Sequence, residues 1–113
     1  MPTTLAAKKC VPCEGGASPL SRARIAVCAK ELNCAWKIIG KDKLSRSFQF
    51  KTFAHAIRFV NKTADIAEQE GHHPDILLHN YNKVRIILST HAIKGLSEND
   101  FIEAAKIDKL HIK

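Results

Sequence analysis

The chain has 113 residues, of which 45% are hydrophobic and 26% are charged. This is the size and composition of one compact globular domain, and it excludes an intrinsically disordered chain. The 18 Lys and Arg residues exceed the 11 Asp and Glu residues and give a formal net charge of +7. Because the basic residues are spread along the chain, we interpret them as a basic solvated surface and do not expect nucleic acid as a partner.

The first part of the chain carries no sign of a membrane or targeting segment. Its longest apolar run, Ile25–Ala29, is far too short to span a membrane, and the first residues lack the apolar core of a secretory signal. We therefore expect a soluble, cytoplasmic protein. Residues 1–17 are interrupted by two prolines and two glycines and are predicted to form a flexible tail, which leaves residues 18–113 as the folded domain.

All four cysteines lie in the first third of the chain. Cys10 and Cys13 have the spacing of half a zinc knuckle or of a redox pair, but Cys28 and Cys34 are six residues apart and do not supply a second close pair. Metal binding at Cys10 and Cys13 is therefore the less favoured interpretation. Cys28 falls on an apolar helix face, where a buried reduced thiol is expected.

The first half of the domain is predicted to form a helix and then a hairpin. Ser18 would cap the helix with Pro19 at its first position, and the helix would run to about Leu32. The strands Trp36–Ile39 and Leu44–Phe50 would then pair around a turn that contains glycine and aspartate.

A long amphipathic helix is predicted next. It begins near Phe53 and ends near Glu70, where Gly71 supplies a left-handed cap. Apolar residues spaced four, three, four and three apart predict its buried stripe: Phe53, Ile57, Val60, Ala64 and Ala67.

The last third predicts two short strands and a helix. The strands are Ile76–His79 and Val84–Ser89, and the helix opens at Ser97 with Asp100 in the position of a capping-box acid and runs to about Leu110. The order α-β-β-α-β-β-α predicts an α+β fold, in which one four-stranded antiparallel sheet has its helices packed on one face. The other face would be only partly polar, which favours pairing with a second copy.

Three of the six histidines lie where predicted elements end. His72 and His73 follow the long helix directly before Pro74, and His91 follows the last strand. Imidazoles exchange protons near neutral pH, and histidines at the ends of elements can converge on one cleft, so the pattern is compatible with acid–base catalysis. A solvated helix exit and a three-histidine zinc site stay open as alternatives, although adjacent histidines in extended backbone point to opposite sides.

Around these histidines the chain resembles the signature of the pterin-4a-carbinolamine dehydratases. The segment is Glu68-Gln-Glu-Gly-His72-His73-Pro74, and Tyr81, His91 and Asp100 follow after six, nine and eight intervening residues. The resemblance covers about Pro19 to Asp108. It includes the segments Leu88-Ser89-Thr90-His91 and Gly95-Leu96-Ser97-Glu-Asn-Asp100. The Cys-x-x-Cys tail is similar to that of bacterial members.

The resemblance implies dehydration of 4a-hydroxytetrahydrobiopterin, or of a related tetrahydropterin, to the quinonoid dihydropterin. This step regenerates the pterin that an aromatic amino-acid hydroxylase has used. The family uses no metal or organic cofactor, and its members form homodimers or homotetramers. By position, His72 would be the main acid–base group, His91 would assist, His73 would mostly bind, and Asp100 would orient a histidine or cap the helix. The implied substrate-binding residues are Gly71, Pro74, Ser89, Thr90 and Ala92.

Two alternatives of other classes remain. A non-catalytic binding or regulatory module of the same fold, similar to a transcriptional coactivator, would keep the apolar core but would not need His72 and His91 together. A nucleic-acid binder is suggested only by the net charge, and it predicts an affinity that falls steeply with salt.

Overall fold

The computed structural model describes residues 5–7, 19–40, 42–90, 93 and 95–111. Within them the chain forms an α+β fold in the predicted order α-β-β-α-β-β-α. The strands pair antiparallel in the order β1-β2-β4-β3. The helices are α1 (Arg22–Ala29), α2 (Phe53–Glu70) and α3 (Glu98–His111), and the strands are β1 (Lys37–Ile39), β2 (Lys43–Gln49), β3 (Asp75–His79) and β4 (Lys83–Leu88).

The core lies between the two central strands and the helices. Alternate residues of β4 are fully buried, and the partners of Val84 and Leu88 across the ladder, Phe48 and Leu44, are buried as well. Alternation of this kind gives a sheet one covered face, and the helices supply the cover. The core residues that the helices contribute include Phe59, Phe101, Ile102 and Ile107.

Helix α1 begins later than the sequence predicts. Its N-cap is Ser21, whose hydroxyl accepts from the N–H of Arg24 at 3.2 Å. The predicted cap at Ser18 is therefore wrong. The reason is contact with a distant part of the chain. Leu20 donates its N–H to the carbonyl of Leu96 at 2.8 Å. Pro19 packs so closely on Gly95 that a Cβ added to Gly95 would lie 2.7 Å from the proline ring. These contacts hold the chain extended before the helix starts.

The buried face of α2 is also rotated from the predicted stripe. Of the predicted residues only Ala67 is fully buried, whereas Phe53 is half exposed. Two neighbouring rows of the helix are apolar, and packing against the sheet and α3 selects one of them. The selected row is Ala56, Phe59, Thr63 and Ala67.

One part of the predicted tail packs on the domain. Leu5–Ala7 forms a short 3-10 turn against α3, and buried Leu5 donates its N–H to Glu31 Oε1 at 3.0 Å. The other residues of the tail, Cys10 and Cys13 among them, lie outside the described residues, and the boundary at residue 18 stays a prediction. Cys28 is buried, as predicted. In the described ranges no helix is long and apolar enough to cross a membrane.

Helix α3 is fixed to the first hairpin by Asp108. One of its carboxylate oxygens accepts from Arg46 Nη1 at 2.6 Å and from Trp36 Nε1 at 2.7 Å, and the other accepts from the N–H of Asn33 at 3.2 Å. These hydrogen bonds of Asp108 hold the C-terminal half of α3 against the hairpin. They therefore help to position the start of α3 near the end of α2.

Candidate active site

The site begins where α2 ends. Gly71 has a left-handed φ of 66° and donates its N–H to Ala67 O at 2.9 Å, and His72 donates its own N–H to the same carbonyl at 3.2 Å. This turn ends the helix and directs His72 toward the start of α3. Pro74 follows, half-buried, and prevents any continuation of the helix.

His72 is held by a buried carboxylate. Its Nε2 lies 2.6 Å from Asp100 Oδ1, the His72 side chain is 12% exposed, and Asp100 is fully buried. Because the carboxylate can only accept, Nε2 carries the proton of this hydrogen bond, and Nδ1 is the nitrogen at which His72 can gain or lose a proton.

Asp100 is in turn held at its other oxygen. Oδ2 accepts from Thr90 Oγ1 at 2.7 Å and from the N–H of Ser97 at 2.9 Å, and the hydroxyls of Thr90 and Ser97 lie 2.8 Å apart. The bond to Ser97 is the reach-back of a capping box, with Asp in place of Glu. The capping and orienting interpretations of Asp100 are therefore compatible, since each uses a different carboxylate oxygen.

Opposing effects act on the pKa of His72. Burial disfavours the charged imidazolium and lowers the pKa, whereas the hydrogen bond and charge of Asp100, together with the charge of Glu103, raise it. The raising effects win, and the pKa of His72 lies above its ordinary value of 6.5. The surroundings of His72 therefore favour its imidazolium more than water does.

His73 occupies a different environment. Its Nε2 lies 2.7 Å from Glu68 Oε2, and its side chain is 62% exposed. The adjacent histidines therefore divide between a buried position and the surface, and each has its own carboxylate. In the sequence Glu68 stands out only as part of the motif, and its place near the end of α2 brings it to His73.

Sequence reasoning missed Glu103, the most unusual carboxyl group near the site. Glu103 is fully buried on α3, and neither of its carboxyl oxygens has a hydrogen-bond partner among the described residues. Burial, above all, raises its pKa from 4.5 to about 7. Its position three residues after Asp100 was the available signal, since residues so spaced share a helix face.

The remaining predicted residues fall into two groups. Thr90 is buried, with its N–H donated to Gly95 O at 3.1 Å and its carbonyl accepting from Ile93, so its hydroxyl is the group that acts on the site through Asp100. Ser89 is half-buried directly before it. His91 and Ala92 lie outside the described residues.

A separate cavity of about 630 Å³ lies at the other end of α2, and none of the predicted site residues lines it. In the described part of the chain no three histidine, cysteine or acidic side chains are grouped as metal ligands would be. The site described above is thus a buried Asp–His pair at the ends of two helices, and Nδ1 of His72 is the atom at which it can exchange a proton.

Comparison with known proteins places the chain in a family. A family model described as pterin 4 alpha carbinolamine dehydratase matches residues 18–110. A protein of Alkaliphilus metalliredigens, named provisionally as a pterin-4-alpha-carbinolamine dehydratase, is 50% identical over 105 residues, which are 93% of this chain and 94% of that protein. A protein of Nitrosomonas eutropha with the same provisional name is 46% identical over 96% of this chain and 94% of its own length.

Two solved structures share the fold. A transcriptional coactivator/pterin dehydratase from Brucella melitensis is 31% identical, with a TM-score of 0.75 over 82% of this chain and 98% of that one. A pterin dehydratase-like protein identified as a RuBisCO assembly factor in the alpha-carboxysome is 29% identical, with a TM-score of 0.58 over 67% of this chain and 88% of its own.

Proposed function

The chain belongs to the pterin 4 alpha carbinolamine dehydratase family, and we propose on that basis that it dehydrates a 4a-hydroxytetrahydropterin to the quinonoid dihydropterin. The C4a–O bond breaks, the hydroxyl leaves as water with a proton from an acid, and N5 gives up its proton to a base. The pterin thus loses one water in total and no electron is exchanged.

The observation that carries the proposal is the His72–Asp100 pair. A histidine held through Nε2 keeps its Nδ1 fixed in direction, and the raised pKa of His72 favours the imidazolium that an acid catalyst needs. An acid of this kind can protonate the departing 4a-hydroxyl, and the neutral imidazole that remains can accept a proton. His72 is therefore the proposed principal acid–base group and Asp100 the residue that orients it.

The other residues take supporting roles in this proposal. His91 assists proton transfer, and the exposed His73 binds the substrate, with Glu68 holding its ring. Gly71, Pro74, Ser89, Thr90 and Ala92 form the surroundings of the pterin. The reaction needs neither a metal nor an organic cofactor.

The cellular role follows from the reaction. A tetrahydropterin carbinolamine is the product of aromatic amino-acid hydroxylation, so the enzyme would act in the cytoplasm after such a hydroxylase and return the pterin to its cycle. We also propose that the chain works as a homodimer or homotetramer.

The direct test follows the ultraviolet absorbance of the carbinolamine, generated in situ by a hydroxylase. The purified protein is expected to speed its decay above the spontaneous rate and to yield the quinonoid dihydropterin. A decay unchanged by the folded protein would refute the proposal.

A second candidate is a non-catalytic module of the same fold. It is favoured by the pterin dehydratase-like relative that is identified as a RuBisCO assembly factor. A protein of this kind would bind a macromolecular partner without accelerating the decay, and replacing His72 would leave that binding unchanged.

A further inference from the structure

The carboxyl group of Glu103 lies in a cluster of charged groups where two helices meet. Two contacts join α3 to the end of α2. Asp100 contacts His72, which lies just beyond the end of α2, and the Nζ of Lys106 lies 3.7 Å from Glu70 Oε2 in the last turn of α2. Glu103 sits between these two contacts on α3. It is fully buried, and both of its oxygens lack a hydrogen-bond donor among the described residues.

A buried carboxyl group without hydrogen bonds is costly in its charged form unless a positive charge lies close by. The cation that acts most strongly on Glu103 is His72, and His73 adds a weaker favourable effect. Glu70 and Asp100 oppose its ionisation, and Lys106 pairs with Glu70. The balance makes the charge of Glu103 depend on the proton of His72.

The dependence runs in both directions. The charge of Glu103 favours the imidazolium of His72, and the imidazolium favours the carboxylate of Glu103. Asp100 already neutralises one positive charge at His72, so an ionised Glu103 makes the cluster of His72, Asp100 and Glu103 one charge negative and strengthens its hold on a proton.

We propose that Glu103 is a positioning residue that acts through His72: its buried carboxylate is a second counter-charge that keeps the imidazolium protonated to higher pH than Asp100 alone would. Glu103 does not touch the substrate. The inference rests on the proposed function only for its consequence in the reaction, which is that Glu103 sets the upper pH limit of catalysis.

The test is the titration of His72, followed by NMR of its ring in protein labelled at histidine. In Glu103→Gln the carboxylate is lost and the side-chain size is kept, and we expect the titration midpoint of His72 to fall by about half a pH unit or more. The basic limb of the pH–rate profile should move to lower pH by the same number of pH units. The matched control is Asp65→Asn, which removes one exposed negative charge from α2 and should move neither quantity.

A reciprocal measurement separates coupling from a general loss of structure. In His72→Gln the midpoint of the Glu103 carboxyl group, followed by carbon NMR, should rise, because the coupling of two titrating sites is mutual. A His72 midpoint in Glu103→Gln equal to that of the wild type would overturn the inference, whatever the activity. A shifted midpoint in a protein without dehydratase activity would uphold the coupling and refute the proposed function instead.

Discussion

Glu103 also makes a quantitative prediction about stability. In the unfolded chain its carboxyl group loses its proton near pH 4.5, whereas burial in the folded protein raises the pKa to about 7. Between these values the folded state keeps a proton that the unfolded state has released, so this group lowers the free energy of unfolding as the pH rises. The loss is complete above the folded pKa. At about 1.4 kcal/mol per pH unit, it amounts to about 3 kcal/mol.

Replacing Glu103 with Gln removes this dependence. The favourable charge of the His72 imidazolium is already included in the pKa of about 7 for Glu103, so it needs no separate correction. We therefore expect the free energy of unfolding of Glu103→Gln, relative to wild type, to rise by about 3 kcal/mol between about pH 4 and about pH 8. Glu103→Leu should show the same slope, because an apolar side chain of similar size also lacks the charge.

The assay is urea unfolding at a series of pH values, followed through the fluorescence of the single tryptophan. The exposed Asp65→Asn serves as the control for net charge. A difference between Glu103→Gln and wild type that does not change with pH would refute the reasoning, because it would mean that Glu103 titrates alike in the folded and unfolded chains.

Three further substitutions test other parts of the structure. Asp100→Asn removes the charge that holds the proton on His72, so the pKa of His72 should fall and kcat/KM should drop by about tenfold or more, measured by NMR and by carbinolamine decay. Asp108→Asn leaves the buried guanidinium of Arg46 without its carboxylate and should cost about 3 kcal/mol in urea unfolding. Gly71→Ala meets no atom within 4 Å but forces a side chain into a φ of 66°, and calorimetry should show a stability loss of about 1 kcal/mol.

Local patterns were enough to predict the sheet and the end of α2. The alternation of Val84, Ile86 and Leu88 places one face of β4 in the core, and each of these residues is fully buried. Gly71 ends α2 as predicted, because a left-handed cap is a property of the backbone at one residue. Asp100 could likewise be identified from its spacing to Ser97, since a capping box lies within one helical turn.

The features that sequence could not predict depend on contacts between distant segments. Two serines compete to cap α1, and the contact of Pro19 with Gly95 decides for Ser21. A charged residue in a helix such as Glu103 is ordinarily read as part of the solvated face. Only the packing of α3 on α2 buries Glu103 and brings its charge close enough to His72 to act on it.

In the proposed reaction His72, oriented by Asp100, exchanges a proton with the departing hydroxyl. The measurement that tests it most directly is the rate of carbinolamine decay with wild type, His72→Ala and His55→Ala at equal concentrations. His55 is an exposed histidine on the first turn of α2 and serves as the matched control. We predict that His55→Ala keeps the wild-type rate and that His72→Ala loses about a hundredfold, the magnitude typical of general acid–base catalysis. Equal rates for wild type and His72→Ala would refute this role of His72.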